Sequence, residues 1–332
     1  MMRFSLRLNN DLTVPQYVEL AQQAERLGFD QFWVSNDLFL RSAGVILTAA
    51  ALNTDRIQVG SCILNPYTTN TAEIAMLAAT LDEVSGGRFL LGLSAGAAEF
   101  LGWVGLRHGK PLTAMRESVA AVRKLLGNEN AECEGDFLRW GAEAYMRFVV
   151  ERQVPIYIGG MGPRMLQLAG EIGDGALPLL FPPERYFTAR RHVEKGHRSR
   201  VNPNADYDFA TCIWVSASHD PTAARRVLAQ KVAYYGSAMN EAVLAGLGLA
   251  RADFEPISHA LIEDKNEPRA VELVTDEMIR IGITGDAGQI IERLEPLVAA
   301  GAAHLSFGPP LGPDFGEALR ILGDVVKHFR RQ

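Results

Sequence analysis

Ile57-Gln58-Val59-Gly60-Ser61-Cys62-Ile63-Leu64-Asn65-Pro66-Tyr67 reads as a buried strand, rich in β-branched and apolar residues, that runs directly into an Asn-Pro turn. A helical pattern begins straight afterwards near Thr71 and continues to Val84. The unit is therefore strand, short loop, helix. Repetition of that unit implies a parallel sheet covered by helices.

Working outward, the same unit recurs. Arg3 to Leu8 reads as a strand, and Val14, Tyr17, Val18, Ala21, Ala24 and Leu27 follow at helical spacing up to a glycine stop at Gly28. Gln31 to Asn36 is the next strand, Ala43 to Leu52 the next helix, and Arg88 to Leu93 a strand ending in Ser94-Ala95-Gly96. After a helix from Leu112 to Leu126 comes a polar segment, 127–152, with short strands expected around Phe137 to Trp140 and Met146 to Val149. Pro155 to Ile158, Ala176 to Phe181, Phe209 to Ser216 and His304 to Phe307 complete eight strands, with helices to Ile172 and from Glu184 between them. The helix-rich stretch 222–281 is longer than a crossover needs; it covers one end of the sheet or builds a dimer contact. The pattern predicts an α/β protein, a (β/α)8 TIM barrel with insertions near 127–152 and 222–281 in a single domain over 1–332. A doubly wound open sheet is the competing architecture.

Composition narrows the function classes. Of 332 residues, 48% are hydrophobic and 22% charged, which describes a soluble globular chain with a large core and excludes disorder. A net charge of -6 gives no electrostatic footprint for nucleic acid, and the basic run from Arg190 to Arg200 reads as a solvated helix face. Cys62, Cys133 and Cys212 are odd in number and form no CxxC pair, so a zinc site is not expected and a reducing, cytoplasmic setting is. No signal peptide or membrane span is read, and the scattered histidines predict no metal site.

In a barrel of this kind the site lies at the strand C-termini, which here are Arg7 to Asn10, Ser35 to Asp37, Cys62 to Tyr67, Ser94 to Glu99 and Gly159 to Pro163. The loop Gly159-Gly160-Met161-Gly162-Pro163 precedes a helix, where free backbone N–H groups make an anion site; a tight turn reads equally well. Ser94, Ala95 and Gly96 are small enough to let a flat ligand lie against backbone.

Three separated segments carry a resemblance: Val59 to Thr68, then Pro155 to Pro163 with Ala169 to Ala176 behind it, and Phe307-Gly308-Pro309-Pro310-Leu311-Gly312-Pro313-Asp314. Together they resemble the bacterial-luciferase-like flavin and deazaflavin oxidoreductases, and within them the methylenetetrahydromethanopterin reductase branch. The resemblance implies a usually dimeric barrel that binds coenzyme F420 or FMN, with a non-proline cis peptide at Cys62-Ile63 against the back of the ring. It implies cofactor contacts at Asn36, Cys62, Ile63, Asn65, Ser94, Ala95 and Gly96, and a phosphate-bearing tail at Gly159, Gly160, Met161, Gly162 and Pro163. The implied activity is hydride transfer between the deazaflavin C5 and a carbon centre of a small organic substrate. An FMN-dependent monooxygenase and a non-catalytic flavin-binding protein are the alternatives.

Departures from the reductase pattern are grouped. Arg7 stands where the reductases have Glu, Asn36-Asp37 where they have Asp-His, and Ala97 where they have an acid. The resemblance thus extends to fold and cofactor class but not to the reductases' substrate. In the alternating first strand Arg7 shares a face with Ser5 and points into the barrel end, where an ion pair or shared hydrogen-bond network with Asp37 is expected. Arg7 then meets an anionic substrate or the cofactor's polar edge, and Asp37 transfers a proton. Two solvent-exposed loop charges are the bland alternative.

Overall fold

The computed structural model describes residues 2–239 and 241–331. Eight strands carry the architecture: β1 (Arg3–Leu8), β2 (Gln31–Val34), β3 (Gln58–Ser61), β4 (Phe89–Leu93), β5 (Ile156–Gly160), β6 (Gly175–Pro178), β7 (Thr211–Ala217) and β8 (His304–Leu311). They lie in the order β7-β8-β1-β2-β3-β4-β5-β6, and every adjacent pair is parallel. The order follows the chain with no reversal, which removes the doubly wound alternative and its switch point. The sheet curls. Asp208–Phe209 pairs with β6, and Leu179 bridges Cys212 at the start of β7, so the two ends of the sheet meet.

Helices form where the apolar spacing and the caps agree. Thr71–Val84 begins at Asn70, whose side chain accepts from Ala72 N at 2.9 Å. Val14–Leu27 ends at Gly28 in the left-handed region. The last helix, Phe315–Arg330, returns to the first unit, where Arg330 Nη2 donates to Gly28 O (2.7 Å) and to Asp30 Oδ1 (2.9 Å). Among the described residues no helix is long and apolar enough to cross a membrane.

Three apolar clusters result. The largest lies between the sheet and the surrounding helices. A second, inside the curl, holds Trp33, Leu90, Tyr157, Leu177, Ala210 and Cys212. The third belongs to the insertion after β7: Leu228, Val232, Leu244, Ile257 and Ile281 pack together, joined by Trp214 from β7 and Phe181 from the loop beyond β6.

Four local expectations are corrected. Met146 to Val149 forms no strand; the segment's hairpin pairs Cys133–Glu134 with Arg139–Trp140, because Val149 and Phe148 face solvent and have no sheet to join. Ile283–Gly285 is an additional short strand on the edge of β7, too brief to show a period. β8 runs on through Pro309 and Pro310 to Leu311, because a register shift in β7 between Trp214 and Ser216 accommodates residues that cannot donate to the ladder. Within the run expected as one strand, Asp208–Phe209 and Thr211–Ala217 are separate, since the first pairs with β6 and the second with β8.

Candidate active site

The Cys62-Ile63 peptide is cis, as expected. Opposite it, a Cβ on Gly159 would stand 3.2 Å from Ile63 Cγ2 and 3.2 Å from Ser94 Cβ, so a bare backbone here lets three strand ends close into one floor. Gly96 completes it with φ of 72°, and a Cβ there would lie 2.1 Å from Asn65 Nδ2. Asn65 spends both ends of its amide on this loop: Nδ2 donates to Ala95 O (3.1 Å) and Oδ1 accepts from Tyr67 N (2.8 Å). Asn36 Oδ1 accepts from Ala43 N at 3.2 Å. These asparagines shape the floor and its rim.

Gly159 and Gly160 lie inside β5, in register with Leu177 and Pro178, so the anion loop is shorter than expected and begins at Met161. Gly162 is the N-cap of the helix Pro163–Ile172; its own side-chain position is open space and no side chain caps the helix. The first-turn N–H groups are left for an anion.

Arg7 is inside, 5% exposed. Its Nε donates to Ser306 Oγ and its Nη2 to Ile213 O, each at 3.1 Å. Neither the expected ion pair with Asp37 nor a hydrogen-bond network shared with it forms among the described residues. The register explains this: Arg7 is level with Trp33, and Asp37 lies beyond the end of β2, so the neighbours at Arg7's level come from β7 and β8. Asp37 instead stands in the solvent-accessible mouth, its backbone clamped by Asn10, which donates to Asp37 O (3.0 Å) and accepts from Asp37 N (3.2 Å). Crowding around the carboxyl raises its pKa, an effect that Lys231 opposes and Asp11 reinforces.

Lys231, from the helix Pro221–Tyr235, is the residue that sequence reading missed. Its Nζ lies 4.9 Å from the Trp214 ring and 4.7 Å from the Tyr235 ring. Desolvation lowers its ammonium to about 8, while Asp37 and Asp11 pull it up and Arg7 pushes it down. A lysine on an amphipathic helix has no distinguishing sequence signal; only the docking of the insertion brings it here. Cys62, beside Arg7, is pushed up to about 12, chiefly by burial, and is a neutral thiol.

Below Arg7 runs a polar wall that the alternation of β1 and β8 builds. Ser5 Oγ donates to Ser306 Oγ (2.7 Å), His304 Nε2 lies 2.8 Å from Ser5 Oγ, and His304 Nδ1 lies 2.9 Å from Asp208 Oδ2. Tyr157 donates to Asp208 at 2.8 Å and Arg3 pairs with it at 3.1 Å. A separate recess of about 560 Å³ beside Met76, Trp140, Tyr145 and Phe148 shares no residue with this site.

This geometry has known counterparts. A model of the luciferase-like monooxygenase family matches residues 2–304. The chain belongs to that family. A 5,10-methylenetetrahydromethanopterin reductase of Methanolobus tindarius is 31% identical over 316 residues, 95% of each chain. An F420-dependent glucose-6-phosphate dehydrogenase of Amycolatopsis mediterranei is 29% identical over 88% of each. Among solved structures of the luciferase-like fold, the coenzyme F420-dependent tetrahydromethanopterin reductase from Methanopyrus kandleri superposes with a TM-score of 0.91 at 28% identity, covering 99% of both chains.

Proposed function

We propose that this luciferase-like protein is a coenzyme F420-dependent oxidoreductase passing a hydride between the deazaflavin C5 and a carbon centre of a small organic substrate. The observation that carries this reading is the superposition, over 99% of both chains, on a reductase whose cofactor is F420. The dehydrogenase relative, with a different substrate in its name, is likewise named F420-dependent, so the cofactor is the element it shares with the solved reductase. We read the curled sheet as a closed (β/α)8 barrel, one domain with two insertions, working as a homodimer.

The residues present fit the cofactor. Ile63, Gly159 and Ser94 make a floor for a planar ring, and the helix start, with no side-chain cap, offers the N–H groups of Gly162, Arg164 and Met165 to an anionic tail. When bound, F420 supplies a two-electron hydride carrier; the chain supplies orientation and proton control. Asp37, held by Asn10 at the mouth and raised in pKa, is suited to hold a proton at its carboxyl and release it to the substrate. Arg7 fixes positive charge at the floor, where burial strengthens it.

The test is mass spectrometry of the small molecule that copurifies from a host making both F420 and FMN. Recovery of F420 is expected. FMN recovered alone would transfer the reading to the monooxygenase side of the family.

A further inference from the structure

We infer that the substrate of this site carries a carboxylate, received by Arg7 at the floor and Lys231 on the wall. The inference rests on the reading of the site as F420-dependent and adds the class of molecule that reacts there.

Arg7 is 5% exposed, and the two hydrogen bonds that hold it end on neutral oxygens, Ser306 Oγ and Ile213 O. Among the described residues it forms no ion pair. The carboxylate on the same wall, Asp208, is already engaged by His304 at 2.9 Å and Arg3 at 3.1 Å. Cys62 is a neutral thiol and supplies no counter-charge. Buried charges are ordinarily paired, because an unpaired one loses hydration and gains nothing for it. A guanidinium with spare N–H donors and no anion at the floor of a ligand site is therefore incomplete without its ligand, and the group that matches its planar fork is a carboxylate.

Lys231 adds the second cation from an independent element. Gly308, which leaves room for Arg7, is in register with Trp214, and Lys231 Nζ lies over the Trp214 ring at 4.9 Å. The two positive groups are near enough for Arg7 to push the Lys231 ammonium down. Trp214 and Tyr235 hold the ammonium by their ring faces, which leaves its N–H donors for a ligand oxygen.

The anion could come from the substrate or from the cofactor's own ring edge, and the experiment separates them. Protein loaded with F420 is titrated with benzoate and with its neutral counterpart benzamide at constant ionic strength, following the fluorescence of the bound cofactor. Benzoate is expected to perturb the signal saturably, and benzamide to bind more weakly by about tenfold or more. Arg7→Met and Lys231→Met are each expected to weaken benzoate by about tenfold to a hundredfold while F420 affinity changes by less than about threefold. Arg7→Lys should restore part of the benzoate affinity. Equal binding of benzoate and benzamide, or parental benzoate affinity in both methionine variants, overturns the inference. So does an Arg7→Met protein that loses F420 and keeps benzoate, because the counter-charge then belongs to the cofactor. If Arg7→Met does not fold, Lys231→Met decides alone. Failure of the parent to take up F420 at all is seen before any benzoate is added and counts against the proposed function instead.

Discussion

Arg7 keeps its position because residue 308 has no side chain: a Cβ there would lie 2.3 Å from Nη2 and 3.0 Å from Ile213 O. Gly308→Ala is expected to push the guanidinium out of line and to cost about 1–3 kcal/mol in overpacking, read as a lowered urea midpoint together with weakened ligand binding. Normal stability and binding would mean that the neighbours yield. Asp208 makes a pH prediction. Burial works against its charge, but His304, Arg3 and Tyr157 outweigh it and hold the carboxyl well below its ordinary 3.8. A depressed folded pKa contributes stability that is complete above the unfolded value and is lost as pH falls below it. The parent should therefore lose stability steeply below about pH 4. Asp208→Asn should be less stable at neutral pH by about 3–5 kcal/mol and have a flatter acid limb, measured by denaturation across pH. At this scale the alternation that puts Ser5 and Arg7 on one face was legible in sequence. Their partners were not, because His304, Ser306 and Asp208 come level with β1 only through pairing between strands about three hundred residues apart in the chain for β8, and through closure of the curl for Asp208.

The element that offers its N-terminus at Gly162 is braced from behind. The helices Pro163–Ile172 and Tyr186–His197 touch backbone to backbone: a Cβ on Gly170 would lie 1.9 Å from Val193 O, and one on Gly196 would lie 1.8 Å from Gln167 O. Neither obstacle is a side chain that can swing away. Gly170→Ala is expected to force the helices apart, lower stability by at least about 1–3 kcal/mol and weaken F420 binding through the shifted helix start, checked by thermal melting and a fluorescence titration. An unaltered cofactor affinity in a destabilised protein would show that the helix start is not part of the site. Both helices were read in the sequence, to Ile172 and from Glu184. Their close crossing was not, since isolated glycines in a helical pattern show no partner. The same limit applies to strands: Met146 to Val149 has strand composition but nothing to pair with, whereas Ile283–Gly285 has little pattern and an open edge beside Val215 to Ala217. Arg190 and Arg200, read as a solvated face, in fact tie helix to loop through Gly301 O at 3.2 Å and Gly173 O at 2.6 Å.

Across the whole molecule, the order of strands and the layer of helices around the curled sheet followed from the repeated strand-helix unit, so the architecture was legible early. What the unit does not specify is where an excursion folds back. The stretch from Pro221 to Ile281 has its own apolar cluster, which Phe181 and Trp214 join with their ring centroids 4.3 Å apart and tilted by 53°. It should open more readily than the sheet core. In hydrogen exchange followed by mass spectrometry, amides of the helix Pro221–Tyr235 are expected to exchange before those of β1 and β8, and bound carboxylate is expected to slow them selectively. Uniform exchange across both regions would mean a single cooperative unit.

The separate core after β7 has a consequence for how such a protein diversifies. On the proposed reading the cofactor ring rests on the ends of β3, β4 and β5, whereas Lys231, one of the two cations proposed to meet the substrate, arrives on a segment with its own packing. A graft that replaces 221–281 while retaining Trp214 and Phe181 as the socket should change which molecules react without disturbing which cofactor is held. Chemistry and clientele are thus encoded in different lengths of one polypeptide, and selection can edit the second as if it were a detachable part.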